Sequence, residues 1–290
     1  GKYVEIYGGE NHPPFLDDFP CLQSNHVISC VPMGKDTIWL ECTSQTKSPG
    51  YMGSFTGERK AVIIDENGGH VVNTPRYSVS DNLQIRNIEA LIDAEGLLDA
   101  GIKTHYTGIQ QEFPHWLMRE ASKEDKEKYL NDMFSLPTYE VLSNNYKEKK
   151  GIIPVVDEEL HIQARNYASI TGKRLFIAPD IFGRSSEKLM QDSLRKYDYI
   201  IKDSYREIDS ATIKIPDGYK PESQPKDISL DTKFGKYTAT VKIIDNKIIY
   251  YRLQEQYSGR FPAKEYNDLV KFYEQVYKAD RAKVVLVKQE

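Results

Sequence analysis

The chain has 290 residues, 39% of them hydrophobic, enough for one large core or two smaller ones. A net charge of −4 argues against nucleic acid as a partner, and no apolar run approaches the roughly 18 residues that a membrane span needs. Cys21, Cys30 and Cys42 form neither a disulfide framework nor a zinc spacing, so no metal or other cofactor is expected.

Two strands come first. Asn25–Ile28 and Asp36–Gln45 are rich in Val, Ile, Trp and Thr, and Pro32-Met33-Gly34-Lys35 supplies turn chemistry between them. By the two-residue period, Thr37, Trp39, Glu41 and Thr43 share one face. A tight turn at Met33-Gly34 sets His26 opposite Glu41, with Cβ atoms about 5 Å apart. A histidine whose second nitrogen is held by a carboxylate is the orienting half of a nucleophile–base–acid triad.

A short hairpin follows over residues 61–73, and Pro75 marks the expected boundary between a unit of residues 1–76 and one of 77–290. Leu83–Asp93 and Leu97–Thr107 read as a longer hairpin around Ala94-Glu95-Gly96. A helical pair is inserted near residues 109–135, with Phe113–Ala121 and Lys123–Phe134 as helices and Ser122 as the N-cap of the second. Strands continue at Tyr139–Lys147, Leu160–Ile170, Ile200–Ile215, Lys236–Ile243 and Lys247–Tyr257, the last two joined by an Asp245-Asn246 turn. Lys220–Lys226 reads as a polar linker. Tyr266, Leu269, Val270 and Tyr273 at helical spacing, after Pro262, place a helix near residues 262–278. The expected fold is mainly β (α+β): a large antiparallel β-sandwich with a few helices, following the smaller unit.

The hairpin resembles the end of the catalytic core in bacterial transglutaminase-like proteins, relatives of the papain-type fold. The matching residues are Asn25-His26-Val27-Ile28, then Trp39-Leu40-Glu41 and Thr43-Ser44-Gln45, then Ser48-Pro49-Gly50-Tyr51. The resemblance implies that His26 is the base and Glu41 the acid, although the family pattern has Asp where this chain has Glu. It also implies a cysteine nucleophile a few dozen residues before the histidine, further than the 25 residues that precede His26. Residues 1–76 then read as the C-terminal remnant of such a core, itself inactive without that cysteine. Ile213–Tyr219 and Val284–Lys288 resemble parts of the β-rich domain that follows the core in such proteins. Family members are exported, which implies a periplasmic or cell-surface parent. Gly1 in place of Met, with no leader, fits a processed chain or a piece of a longer one.

Each candidate has a plainer reading. His26 and Glu41 also suit a half-buried strand pair without chemistry, and Trp39 suits a core position. Cys21, five residues from His26, is the alternative nucleophile, but after Pro20 it has no helix dipole to activate it. His105, His115 and His161 are scattered, and the Lys123–Lys128 charge run reads as a solvated helix face. Two functions stay open. One is a fragment of a cysteine hydrolase or acyltransferase acting on peptide or protein amides. The other is a non-catalytic β-sandwich that binds peptide, glycan or a partner protein.

Overall fold

Alternation of apolar and polar residues builds the first sheet. In the computed structural model, residues 1–9, 13–19, 21–34, 36–186 and 188–289 are described. Strands β1 (Lys2–Ile6), β2 (His26–Met33), β3 (Asp36–Leu40), β4 (Lys60–Asp65) and β5 (Gly68–Asn73) form a five-stranded sheet in the order β3-β2-β1-β4-β5. Every neighbouring pair is antiparallel. One face buries Val4, Ile6, Ile28, Cys30, Trp39 and Ala61 against Met52, which precedes the short helix α1 (Gly53–Thr56). Trp39 is thus a core residue, paired in register with Cys30.

A second, larger sheet follows. It contains β6 (Leu83–Ile92), β7 (Leu98–Thr107), β8 (Tyr139–Lys149) and β9 (Val155–Ala164), with helices α2 (Glu112–Arg119) and α3 (Lys123–Asp132) inserted before β8. Next come the short strands β10 (Ser169–Thr171), β11 (Arg174–Ile177) and β12 (Tyr199–Ile201), then β13 (Tyr205–Lys214), β14 (Tyr219–Ser223) and β15 (Ile228–Thr232). Strands β16 (Gly235–Ile244), β17 (Lys247–Gln256) and β18 (Gly259–Phe261), helix α4 (Tyr266–Ala279) and β19 (Val284–Lys288) complete the chain. The eight-stranded sheet runs β15-β16-β17-β13-β6-β7-β9-β8, antiparallel except for the β13–β6 pair. Its buried face packs on the four-stranded sheet β10-β11-β19-β14 and on α4, through Leu98, Ile162, Ile213 and Ile248 against Leu175, Leu269, Val284 and Leu286. The protein is therefore mainly β, built from antiparallel sheets with few helices. Asp245 and Asn246, both at positive φ, close the β16–β17 hairpin as a two-residue turn.

That buried face also carries a polar row. Tyr146, Glu158, Thr104, Arg86, Asp209 and Arg252 are successive cross-strand partners on β8, β9, β7, β6, β13 and β17. Arg252 bonds to Asp280 at 3.0 Å and Asp209 at 3.2 Å, while Arg86 holds the other oxygen of Asp209 at 2.9 Å. Asp180 lies over this end of the row, with one carboxylate oxygen 3.7 Å from Arg252 and lacking any hydrogen-bond partner among the described residues. Burial, with repulsion from Asp280 and Asp209, outweighs Arg252 and pushes the Asp180 carboxyl up to about 7.

Several elements differ from the sequence reading. Met33 belongs to β2 and pairs with Asp36, so the chain reverses after Met33 and not at Met33-Gly34; Lys35 and Pro20 lie outside the described residues. The strand expected to reach Gln45 ends at Leu40, because the backbone turns so that Thr43 can donate to the Glu41 carboxylate. The expected linker contains β14, an edge strand on β19, where Pro221 is tolerated beside a bulge. The Ile200–Ile215 run divides into β12 and β13, which belong to different sheets.

Candidate functional site

The site begins at the first residue of β2. His26 pairs with Ile6 across the β1–β2 ladder. Just beyond the ladder, the Asn25 side chain accepts from the Gly8 amide at 2.6 Å and donates to the Gly8 carbonyl at 3.1 Å. Gly8 cannot carry a side chain here, since a Cβ would sit 2.7 Å from the Phe55 ring and 3.1 Å from the His26 Cβ. The Phe55 ring meets the imidazole edge-on, with centroids 5.1 Å apart.

Glu41 follows β3 directly. Continuing the β2–β3 register sets it opposite Ile28, diagonal to His26 on the same face. The Met33–Asp36 pairing moves the partner of Glu41 by two residues from the one expected, which preserves the face. The extra methylene of Glu over Asp spans that diagonal. His26 Nε2 lies 2.9 Å from Glu41 Oε2 and 3.2 Å from Oε1. The Glu41 side chain is 4% exposed and that of His26 16%. Thr43 donates to Glu41 Oε1 from its hydroxyl at 2.6 Å and its amide at 3.1 Å, and Thr56 Oγ1 reaches Oε2 at 3.5 Å. Burial raises the Glu41 carboxyl, but the Thr43 and His26 hydrogen bonds outweigh it, leaving the group below its usual range.

With Nε2 engaged by a carboxylate, Nδ1 is the nitrogen left for proton transfer, and no described residue hydrogen-bonds to it. Among the described residues no cysteine bonds to His26. Cys30 is buried, which pushes its thiol up, and the exposed Cys42 donates weakly to the Leu40 carbonyl. Cys21 is exposed on a groove of about 810 Å³ shared with Tyr7, Pro13, Ser24, Arg59 and Arg76.

The other described histidines pair singly with acids. His115 is buried, 3.4 Å from Glu148 and 3.2 Å from Thr46 Oγ1. His105 meets Asp157 at 2.7 Å and His161 meets Asp99 at 2.9 Å. Among the described residues no group of three or more His, Cys, Asp or Glu could hold a metal ion. No described helix is long and apolar enough to cross a membrane. The supports from Thr43, Phe55 and Thr56 were not anticipated. Thr43 alone carried a signal, as a hydroxyl residue two positions after the acid.

The pattern of a domain of unknown function with solved structure, DUF3858, matches residues 173–286. That segment runs from β11 into β19 and excludes His26 and Glu41. A comparison with curated proteins finds no match. Among solved structures, the chain is similar to one described as a "putative protease" from Parabacteroides distasonis ATCC 8503, with 12% identity and a TM-score of 0.49. The alignment covers 99% of this chain and 40% of that one, so the chain spans less than half of that protein's length.

Proposed function

We propose that His26 and Glu41 are the base and orienting acid of a cysteine-dependent hydrolase or acyltransferase acting on peptide or protein amides. The thiolate in this reading belongs to a cysteine upstream of Gly1 in the same polypeptide. The observation that carries the reading is the 2.9 Å bond from Nε2 to a nearly buried carboxylate, on the side of the ring away from Nδ1. Glu41 sets the tautomer and stabilises the imidazolium, as the third member of a triad does. Nδ1 exchanges protons with the thiol. The thiolate attacks the carbonyl carbon, the carbon–nitrogen bond breaks, and the Nδ1 proton leaves with the amine. Water or a second amine then attacks the thioester and returns a proton to Nδ1.

Residues 1–76 are then the end of a catalytic core, and 77–290 an appended β unit. The family resemblance of the hairpin supports this division and an exported parent. The test is amide hydrolysis and amine transfer by the polypeptide extended upstream through its first cysteine-bearing helix. Activity lost in His26→Gln, and reduced by orders of magnitude in Glu41→Gln, supports the proposal. No activity in the extended polypeptide, or activity indifferent to His26, leaves the chain as a non-catalytic β module.

A further inference from the structure

The turn that touches the His26–Glu41 pair is also held from α2. Residues 53–56 present the Phe55 ring to the imidazole at 5.1 Å and Thr56 Oγ1 to Glu41 at 3.5 Å. One of their anchors is Glu112, the first residue of α2. Glu112 Oε1 accepts from the Tyr51 hydroxyl and from the Ser54 amide, each at 2.9 Å, and Oε2 accepts from the Ser54 hydroxyl at 2.6 Å. Gly53 makes the approach possible. It adopts φ +60°, and a Cβ there would lie 2.1 Å from Glu112 Oε1.

The remaining side chains at this junction hold the preceding loop. His115 and Glu120 reach Thr46, and the Ser48 hydroxyl accepts from the Gly151 amide. Tyr77 accepts from the Met52 amide at 2.9 Å. From α2, Glu112 binds the turn that carries Phe55 and Thr56 through two hydrogen bonds from Ser54, with a third from the preceding Tyr51, while Arg59, the Gly9 amide and the Thr74 hydroxyl donate to the carbonyls of Ser54, Phe55 and Thr56.

We infer that Glu112 is a positioning residue for the His26–Glu41 pair, so that the larger β unit fixes the geometry of the base. The inference rests on the reading of that pair as base and acid, but its test does not need catalysis. The path is short: carboxylate to Ser54, Ser54 to its neighbours Phe55 and Thr56, and these to the imidazole and to Glu41. Losing charge-assisted bonds of this kind frees the Ser54 amide and hydroxyl of a turn whose carbonyls Arg59, Gly9 and Thr74 still hold.

The experiment is NMR on the isotope-labelled 290-residue chain, reading the His26 ring nitrogens and the Ser54 amide exchange rate. The unaltered chain is expected to hold neutral His26 as the Nε2–H tautomer. In Glu112→Ala, Ser54 exchange should rise at least about tenfold, and the His26 tautomers should become mixed. Glu112→Gln keeps an oxygen acceptor and should restore most of both signals. Ser54→Ala and Tyr51→Phe remove single bonds, should move His26 in the same direction by less, and serve if Glu112→Ala does not fold. Equal amide protection across β6 and β7 in each variant certifies the larger sheet. Faster Ser54 exchange with an unchanged His26 ring overturns the inference and leaves the base–acid reading standing. An unaltered chain without the Nε2–H form overturns both.

Discussion

Replacing Asp180 by Asn should make the protein more stable in alkali and leave it nearly unchanged in acid. Two arginines, Arg86 and Arg252, face four carboxylates: the buried Asp180, Asp209 and Asp280, and the partly buried Glu207 at 3.5 Å from Arg252. Full ionisation leaves two negative charges in excess. Asp180 Oδ2 is the oxygen without a hydrogen bond among the described residues, so it is the poorest place for one of them. An acid whose pKa rises on folding stabilises the fold while protonated. That contribution is complete below the unfolded value, about 3.9, and is lost as pH rises through about 7. A rise from 3.8 to about 7 carries at most about 4 kcal/mol, and sharing with Asp209 and Asp280 reduces what Asp180 alone returns. Asn keeps the oxygen that accepts from the Gly183 amide and removes the charge. The expected gain is about 1–3 kcal/mol at pH 8.5, falling to roughly a third of that at pH 5 and toward zero below about pH 4. Urea unfolding of both proteins across that range measures it. Parallel stability curves, with the same difference at every pH, would refute the charge count.

Arg252→Met should cost about 3–5 kcal/mol in the same assay, because it leaves the carboxylates with Arg86 alone; a loss under about 1 kcal/mol counts against the cluster as drawn. Trp39→Ala, at a site 7% exposed, should cost about 3–5 kcal/mol by denaturant midpoint. Glu41 has its pKa lowered, so its contribution exists above the ordinary carboxylate range and is lost as pH falls through the folded value. The stability difference between the protein and Glu41→Gln should therefore shrink in acid, and a difference that grows there would contradict the hydrogen-bond pattern. The 290-residue chain alone should neither hydrolyse amides nor cross-link amines, and Cys21 should alkylate at the same rate in His26→Gln. A Cys21 that reacts only while His26 is intact would make it the nucleophile.

Local chemistry in the sequence reached the hairpins and the helical pair, because each is specified by neighbours in the chain. Asp245-Asn246 is a turn whatever surrounds it, and Ser122 caps α3 by accepting from the Asp125 amide at 3.0 Å. Long-range pairing was less visible. β1 is the central strand of its sheet, yet five residues with only Val4 and Ile6 turned inward gave little periodicity to read. β14 looked like a linker because an edge strand tolerates Pro221 and charged residues. The His26–Glu41 pairing survived an error in the turn, since a two-residue shift in partner keeps the face and the longer acid covers the diagonal. Glu112 and Arg252 could not be read as supports at all. Their partners lie 58 residues away at Ser54, and 43 and 28 away at Asp209 and Asp280.

The most direct test of the base–acid assignment is cysteine alkylation against pH in the polypeptide extended upstream of Gly1, with and without His26→Gln. The account predicts one cysteine outside this chain whose reactivity persists well below the usual thiol pKa of about 8.5 and loses that persistence when His26 is replaced. Cysteines that all alkylate alike in both proteins would contradict it.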